Sequence, residues 1–355
     1  MDSVVKAAAT DASILENPPL LPLDVALVWL AHVLSPVCYA DDMGRRYGPT
    51  MMIVTFPLMR LAKMLSGNNE DVATAHAFWM ANLPGGQPFD LTPANIEESK
   101  VMGAFVCPLC ETKLSLATVE YAAFRLHKQT HMCASCTMEF TAEHAAVHRF
   151  LTIVKRGTLA AIADCDNTAD TATLLDPAVW AMHVSALPAL ASRDVVQSTV
   201  YKPTAAATKD LLLPPGNQRQ FSLVLRVYED VTTGPWSMDL VCAVQWQRRF
   251  SAKLAHIVDA GAHSVYHFHT EALVQYPKFL AAMTTRPSTL LVPTTEIDLA
   301  WNMHQVAPTV YAAHTSALVG TVAHHDDSDN KVSESRLAQS ANAMPALWMQ
   351  LFGEA

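Results

Sequence analysis

The sequence predicts a mainly α-helical protein: a multi-helix domain in which one helix–turn–helix signature occurs twice, with a small β element set into it. Three observations carry this. Trp29-x-x-His32-x-x-x-Pro36-x-x-Tyr39 recurs near the other end as Trp301-x-x-His304-x-x-x-Pro308-x-x-Tyr311, four residue types at identical spacing. Elsewhere apolar residues return every third or fourth position, the period of a half-buried helix. Two Cys-x-x-Cys pairs, Cys107/Cys110 and Cys133/Cys136, bracket the stretch where short strands are expected, because each such turn sets two sulfurs on one side of a tight knuckle.

Residues 1–19 read as a flexible N-terminus. The first 15 are rich in Ala, Ser and Asp, and the prolines of ENPPLLP (16–22) hold the lead-in extended. An N-terminal helical part follows over 20–102. Its first helix, 23–34, is apolar almost all round. Ser35 and Pro36 are placed to supply the N-cap and first-turn proline of the next helix, and Asp41 and Asp42 to add favourable charge near its start. Gly48-Pro49 ends that run, an apolar stretch covers 51–65, and a helix over 71–82 stops at Leu83-Pro84-Gly85-Gly86. Residues 103–140 hold the cysteine element. A further helical part, 141–203, opens with Thr141 as cap and Glu143 in its first turn.

Pro214-Pro215-Gly216-Asn217 marks 204–220 as a connection to the C-terminal helical part, 221–355. FSLVLRVY (221–228) suits a strand or a helix. Long helices over 237–259 and 265–283 precede the second signature helix, which starts near Thr295 with Thr294 or Thr295 as its cap and Glu296 and Asp298 in its first turn. Ala307-Pro308 repeats the Ser35-Pro36 hinge. HHDDSDN (324–330) is a polar connection, and the amphipathic helix over 333–352 is expected to kink or split at Pro345.

Composition narrows the classes. With 51% hydrophobic and 16% charged residues, a chain of 355 residues builds a large core. A net charge of −9 and a pI near 5.9 argue against a general electrostatic grip on nucleic acid. The opening MDSVVKAAATDAS has no basic stretch followed by an apolar one, so no secretory leader is expected. The most apolar window, 20–40, is interrupted by Pro22, Asp24, His32 and Pro36 and suits a buried helix pair better than a membrane span. The expectation is a soluble, intracellular, cytoplasmic protein. In such a chain seven cysteines read as a metal site plus three separate thiols, not as a disulfide framework. Cys38 and Cys242 have apolar neighbours, and Cys165 lies near a loop.

Four cysteines in two pairs, twenty-two residues apart, form the donor set of a tetrahedral zinc site. Four protein ligands leave no open coordination position, so the cofactor expected on Cys107, Cys110, Cys133 and Cys136 is structural Zn2+. Val106 and the segment 137–140 fit the short strands of a zinc ribbon. Competing readings are four reduced core thiols and an iron–sulfur or redox role. His127 and His131, just before the second pair, are candidate substitute ligands.

On a helix, Trp at i and His at i+3 share a face. Asp298 extends that stripe in the second copy, as Asp298, Trp301 and His304; in the first copy the nearest preceding acid is Asp24. One reading is a helix corner, with Trp and Tyr packed across the bend and His bonded to a buried backbone carbonyl. The other has His32 and His304 facing one shared cleft as acid/base groups or metal ligands, with Asp298 and Tyr311 beside them.

The string LLVPTTEIDLAWNMHQVAPTVYAAH resembles the signature of the glycine-rich domain-containing protein-like family of fungi and plants. PLDVALVWLAHVLSPVCYADD resembles that family's N-terminal motif, and VCPLC…MCASC is similar to the zinc-ribbon-like insertion of its fungal members. PWSMDLVCAVQWQRRFSAKL and the ending from HHDDSDN onward extend the resemblance, which spans 20–355. It implies a helical fold and zinc binding and carries over no reaction. In the family the helix reads Trp-His-x-His, whereas Leu30 and Asn302 stand here in place of the first His of each pair. That departure implies that a paired-His activity would be lost or retuned. The glycine-rich stretch of the plant members is missing, with 12 Gly in the chain.

Other clusters carry less. His267-x-His269 points two ways on a helix, and His144 and His148 share a helical face without the intervening Glu of a zinc protease. His324-His325-Asp326-Asp327 reads as a solvated linker. No G-x-S-x-G, G-x-x-x-x-G-K-S/T or G-x-G-x-x-G motif occurs. The leading functional reading is a zinc-stabilised helical binding or scaffold module with a protein or small-molecule partner. The alternative is a small-molecule enzyme whose His/Asp/Tyr cleft is formed by the two Trp-x-x-His helices. A nucleic-acid binder relying on Lys113, Arg125 and Lys128 comes third, against the acidic charge.

Overall fold

Proline, glycine and short polar turns cut this chain into many helices of one to six turns. The computed structural model describes residues 2–8, 11–48, 52–67, 69–83, 88–98, 100–145, 148, 236, 238–259, 265–286, 291–323 and 331–353. The chain divides into two compact units, residues 1–89 with 240–355, and residues 90–239. The expected segment 221–228, the connection 204–220, Cys165, the polar connection 324–330 and most of 141–203 lie outside the described residues.

The first unit begins with α1 (Asp2–Ala8) and α2 (Ser13–Glu16), then the extended lead-in at 17–22. α3 (Leu23–Val33) and α4 (Pro36–Tyr47) follow and are bent by 104° where they meet. Residues 54–57 are non-helical and lead to α5 (Leu58–Leu65) and α6 (Asn69–Asn82). Arg60 on α5 ties this part together: its guanidinium donates to Pro18 O at 2.9 Å and to Asp71 Oδ1 at 3.1 Å.

The second unit opens with α7 (Pro93–Glu98), started by reciprocal bonds: Thr92 N–H donates to Asn95 Oδ1 and Asn95 N–H to Thr92 Oγ1. β1 (Lys100–Val106) and β2 (Lys113–Ala117) form an antiparallel hairpin with an irregularity between Met102 and Phe105. α8 (Thr118–Leu126) starts where the Glu120 carboxylate accepts the Ala117 N–H at 3.2 Å, and β3 (His131–Met132) pairs antiparallel with β4 (Glu139–Phe140). The inward positions of β2, Leu114 and Leu116, join Phe124, Met138, Phe140, Ala142 and Ala145 in one core that also buries Cys107 and Cys133. His131 is part of that packing, its ring 5.7 Å from Phe140 and 6.3 Å from Phe124. Thr141 does precede a helical turn at 142–145, but the group that reaches back to its N–H is His144 Nδ1, at 3.0 Å, and not Glu143. The Glu143 carboxylate instead takes Lys128 Nζ at 3.0 Å.

Beyond the second unit come α9 (Leu240–Asp259), α10 (Val265–Thr285), α11 (Thr295–Gln305), α12 (Pro308–Val319) and α13 (Lys331–Phe352). α9 packs on α3, and α10 packs across both α11 and α12. The core on that side gathers Tyr276, Phe279, Leu280, Ile297, Trp301, Tyr311 and Ala323, with Met344 and Trp348 of α13 against it. Of the kink or split expected at Pro345, the split does not occur: α13 is one helix through that proline, and α10 likewise runs through Pro277. Proline orphans the carbonyl four residues back; those residues, Ala341 and Leu273, are exposed, so water can take the lost bond.

Mainly helical architecture with a small β element around the cysteines is thus what the chain adopts. Among the described residues no single helix is long and apolar enough to cross a membrane. α3 and α4 reach that length only as a sharply bent pair.

Candidate metal centre and the paired helix corners

Each hairpin of the second unit turns through one Cys-x-x-Cys knuckle, and the two knuckles are built alike. Cys107 N–H donates to Thr112 O and Glu111 N–H to Cys107 O, both at 2.9 Å; Cys133 N–H donates to Met138 O at 2.9 Å and Thr137 N–H to Cys133 O at 2.8 Å. The residue after each second cysteine is left-handed, Glu111 at φ 57° and Thr137 at φ 56°. For residues with a Cβ that conformation costs about 1–2 kcal/mol each, so something must over-determine both turns.

The sulfurs supply the reason. All four Sγ atoms lie within 4.8 Å of one another, with Cys107–Cys136 and Cys110–Cys133 each at 3.6 Å. That is far too long for a disulfide, whose S–S length is about 2.05 Å. A tetrahedral ion with metal–sulfur bonds of about 2.3 Å would hold its sulfurs about 3.8 Å apart. Donor chemistry and spacing therefore fit a structural, thiolate-bound metal ion. Burial pushes the Cys107 thiol up to about 12, while hydrogen bonds from Thr112 pull Cys110 down to about 6. A bound cation would hold both as thiolates. Among the described residues this is the one group of three or more metal-binding side chains.

The repeated signature proves longer than four residues. α3 and α11 are both 11 residues, α4 and α12 both 12, and every bound in the second copy is displaced as Trp301 is from Trp29. Both second helices end on a glycine with positive φ, Gly48 at 72° and Gly320 at 80°, the region an L side chain avoids. The hinge residues match as well: Ser35 sits at φ −114°, ψ 73° and Ala307 at φ −113°, ψ 79°. The Ser35 hydroxyl makes no capping bond, against expectation. Its position is set instead by the proline that follows, which excludes the α region for the residue before it, so alanine serves equally. Thr294, by contrast, does cap α11, accepting the Ile297 N–H at 3.4 Å.

Across each bend the tryptophan indole N–H donates to the tyrosine hydroxyl ten residues on. The bond is 3.3 Å for Trp29–Tyr39 and 2.7 Å for Trp301–Tyr311. Tyr311 Oη also donates to Ala323 O at 2.8 Å. Both tyrosines are fully buried, and burial raises each hydroxyl to about 12 against the indole bond that favours ionisation. Each histidine ring packs edge-on against its tyrosine, with centroids 5.1 Å apart for His32 and 4.9 Å for His304.

The histidines differ in their polar partners, a carboxylate for His32 and a phenol hydroxyl for His304. His32 Nε2 lies 2.9 Å from Asp42 Oδ2, both residues 3% exposed. Asp42 thus serves His32 and not the start of α4. His304 is half-buried, with Nδ1 2.9 Å from Tyr276 Oη and His314 5.1 Å away between ring centroids. Burial, then His314, hold its pKa below the ordinary 6.5. Asp298 occupies the first turn of α11, half-buried. Directly after the two tryptophans, Leu30 is half-buried and Asn302 buried, with Asn302 Oδ1 and both amide atoms of nearby Gln305 lacking a hydrogen bond.

The remaining candidates take local roles. His148 Nε2 lies 3.4 Å from Glu111 Oε1, apart from the capping bond of His144, and His269 sits on α10 against Phe268. Arg125 forms a buried ion pair with Asp239, a contact between residues 114 apart that sequence reasoning missed for want of any local signal. With Lys128 on Glu143, two of the three cations that a nucleic-acid reading needs are engaged internally.

Residues 217–314 match the profile of a family described as glycine-rich domain-containing protein-like. Glycine-rich domain-containing protein 2 of Arabidopsis thaliana is 31% identical over 121 residues, 32% of this chain and 15% of that protein. Glycine-rich domain-containing protein 1 of the same plant is 32% identical over 91 residues, 24% of this chain and 11% of its own length. The chain thus spans a small fraction of the length of these relatives, and no solved structure matches it. The matched segment contains the second corner through His314 and leaves out the cysteine element. Over residues 217–314 the chain is thus similar to the glycine-rich domain-containing protein-like family, the resemblance that the Trp301–Tyr311 signature had indicated.

Proposed function

We propose that the protein is a zinc-stabilised helical binding or scaffold module whose partner is a protein or small molecule. The observation that carries this reading is the convergence of four thiol sulfurs from two matching knuckles. Zn2+ on Cys107, Cys110, Cys133 and Cys136 would fill all its positions with protein and leave none for substrate. Glu111 and Thr137 turn the chain so that each pair of sulfurs faces the other, and Leu114, Leu116, Phe124 and Phe140 wrap the site in an apolar shell. Four reduced cysteines suit an intracellular setting.

The enzymatic alternative, with His32, His304, Asp298 and Tyr311 acting on a small molecule, has less to stand on. The Tyr311 hydroxyl is buried and spends its hydrogen bonds on Trp301 and Ala323, and His32 is closed by Asp42. The test is metal analysis combined with chelation. Purified protein should contain one zinc per chain, and a strong chelator should expose residues 100–140 to protease while the helices of the first unit persist. Protein that carries no zinc, or that keeps 100–140 protease-resistant after the metal is stripped, overturns the reading.

A further inference from the structure

We propose that His304 and His314 form a second metal site, an open two-imidazole site for a late first-row divalent cation such as Cu2+, Ni2+ or Zn2+.

The repeat itself provides the main argument. Position for position, His314 on α12 is the counterpart of Asp42 on α4, as His304 is of His32. In the first corner the side chain at that place reaches the histidine's Nε2, at 2.9 Å. The same backbone geometry in the second corner therefore aims His314 at Nε2 of His304, the nitrogen that Tyr276 does not use. One corner meets its histidine with a carboxylate; the other meets it with a second imidazole.

Spacing agrees with a shared ion. Metal–nitrogen bonds of about 2.0–2.1 Å put each ring centroid about 3.2 Å from the ion. Two rings on one ion, at an angle between square and tetrahedral, then stand about 4.5–5.2 Å apart. The observed separation is 5.1 Å, with the ring planes inclined by 58°. Tyr276 completes the arrangement. With His304 Nδ1–H donating to Tyr276 Oη, the Nε2 lone pair is free for the metal, the outer-sphere support that ligating histidines commonly have. His314 is exposed, so the ion can enter from solvent and water can fill its other positions. Imidazole nitrogen favours Ni2+, Cu2+ and Zn2+ over Mg2+ and Ca2+. Unlike the four-cysteine centre, this site would be open.

The experiment titrates Cu2+ into protein whose cysteine site already holds its one metal ion, by calorimetry and by electron paramagnetic resonance. A second equivalent should bind, with two coordinating imidazole nitrogens. Tyr276→Phe, which keeps both rings, should weaken that equivalent about tenfold. His314→Ala should weaken it further and leave one nitrogen, with helicity unchanged because the side chain is exposed. The proposal is overturned if no second equivalent binds, if His314→Ala binds it as wild type does, or if His324→Ala/His325→Ala removes it instead.

Discussion

Replacing Tyr311 with phenylalanine deletes one oxygen from the second corner and leaves its ring in place. That oxygen accepts the Trp301 indole N–H at 2.7 Å and donates to Ala323 O at 2.8 Å, where Tyr311 is 0%, Trp301 4% and Ala323 3% exposed. Neither abandoned partner can turn to water. A buried donor or acceptor left unsatisfied costs about 1–3 kcal/mol, so the two together should cost about 2–6 kcal/mol. Tyr39→Phe is the matched control. It breaks a single 3.3 Å bond from Trp29, and should cost about 1–2 kcal/mol. The expected order is therefore Tyr311→Phe clearly worse than Tyr39→Phe.

Urea unfolding followed by near-ultraviolet circular dichroism reads this, since Trp29, Trp79, Trp301 and Trp348 all belong to the first unit. The metal is kept saturating so that the second unit contributes equally to every variant. A double-mutant cycle with Trp301→Phe should return a coupling of about 1–2 kcal/mol between the two side chains. A cost for Tyr311→Phe below about 0.5 kcal/mol, or one equal to that of Tyr39→Phe, would refute the claim that these bonds fasten the corner.

Two further outcomes follow from the histidines. Asp42→Ala removes the carboxylate that faces the buried His32 Nε2 and should destabilise the first unit by about 2–5 kcal/mol in the same urea assay. The pair replaced together by leucines should be milder, and the reverse order would show that the bond is dispensable. For pH, the folded pKa of His304 lies below 6.5, so the unfolded chain takes up that proton first. Its contribution is complete above 6.5 and is lost as pH falls from there through the folded pKa. His304→Gln should flatten the fall in melting temperature across that window, and an unchanged slope would remove His304 as its source.

The parts of this fold that sequence made legible are those fixed by neighbours in the chain. Proline at Pro36 and Pro308 forces the residue before it out of the helical region, so the corner is written into a dipeptide. Cysteines with two residues between them, as in 107/110 and 133/136, favour a tight knuckle. The parts that stayed hidden depend on which side chain the bend delivers where. Asp42 looked like a helix-start charge because nothing local shows that a 104° corner carries it onto His32. The Arg125–Asp239 pair spans 114 residues and has no signature at all.

A repeat detected by shared letters reports what both copies need, and here that is the fastening: tryptophan to tyrosine across the bend, a proline at the hinge, a glycine at the end. Its differences carry separate information. Leu30 and Val33 in the first copy are apolar where Asn302 and Gln305 bury amides, and Asp42 stands where His314 does. The first corner closes its histidine with a carboxylate in a buried pair. The second leaves its histidine half-exposed, facing another imidazole with a tyrosine behind it. If function separates the two corners, it resides at these unlike positions, in the copy that leaves its imidazole open to solvent.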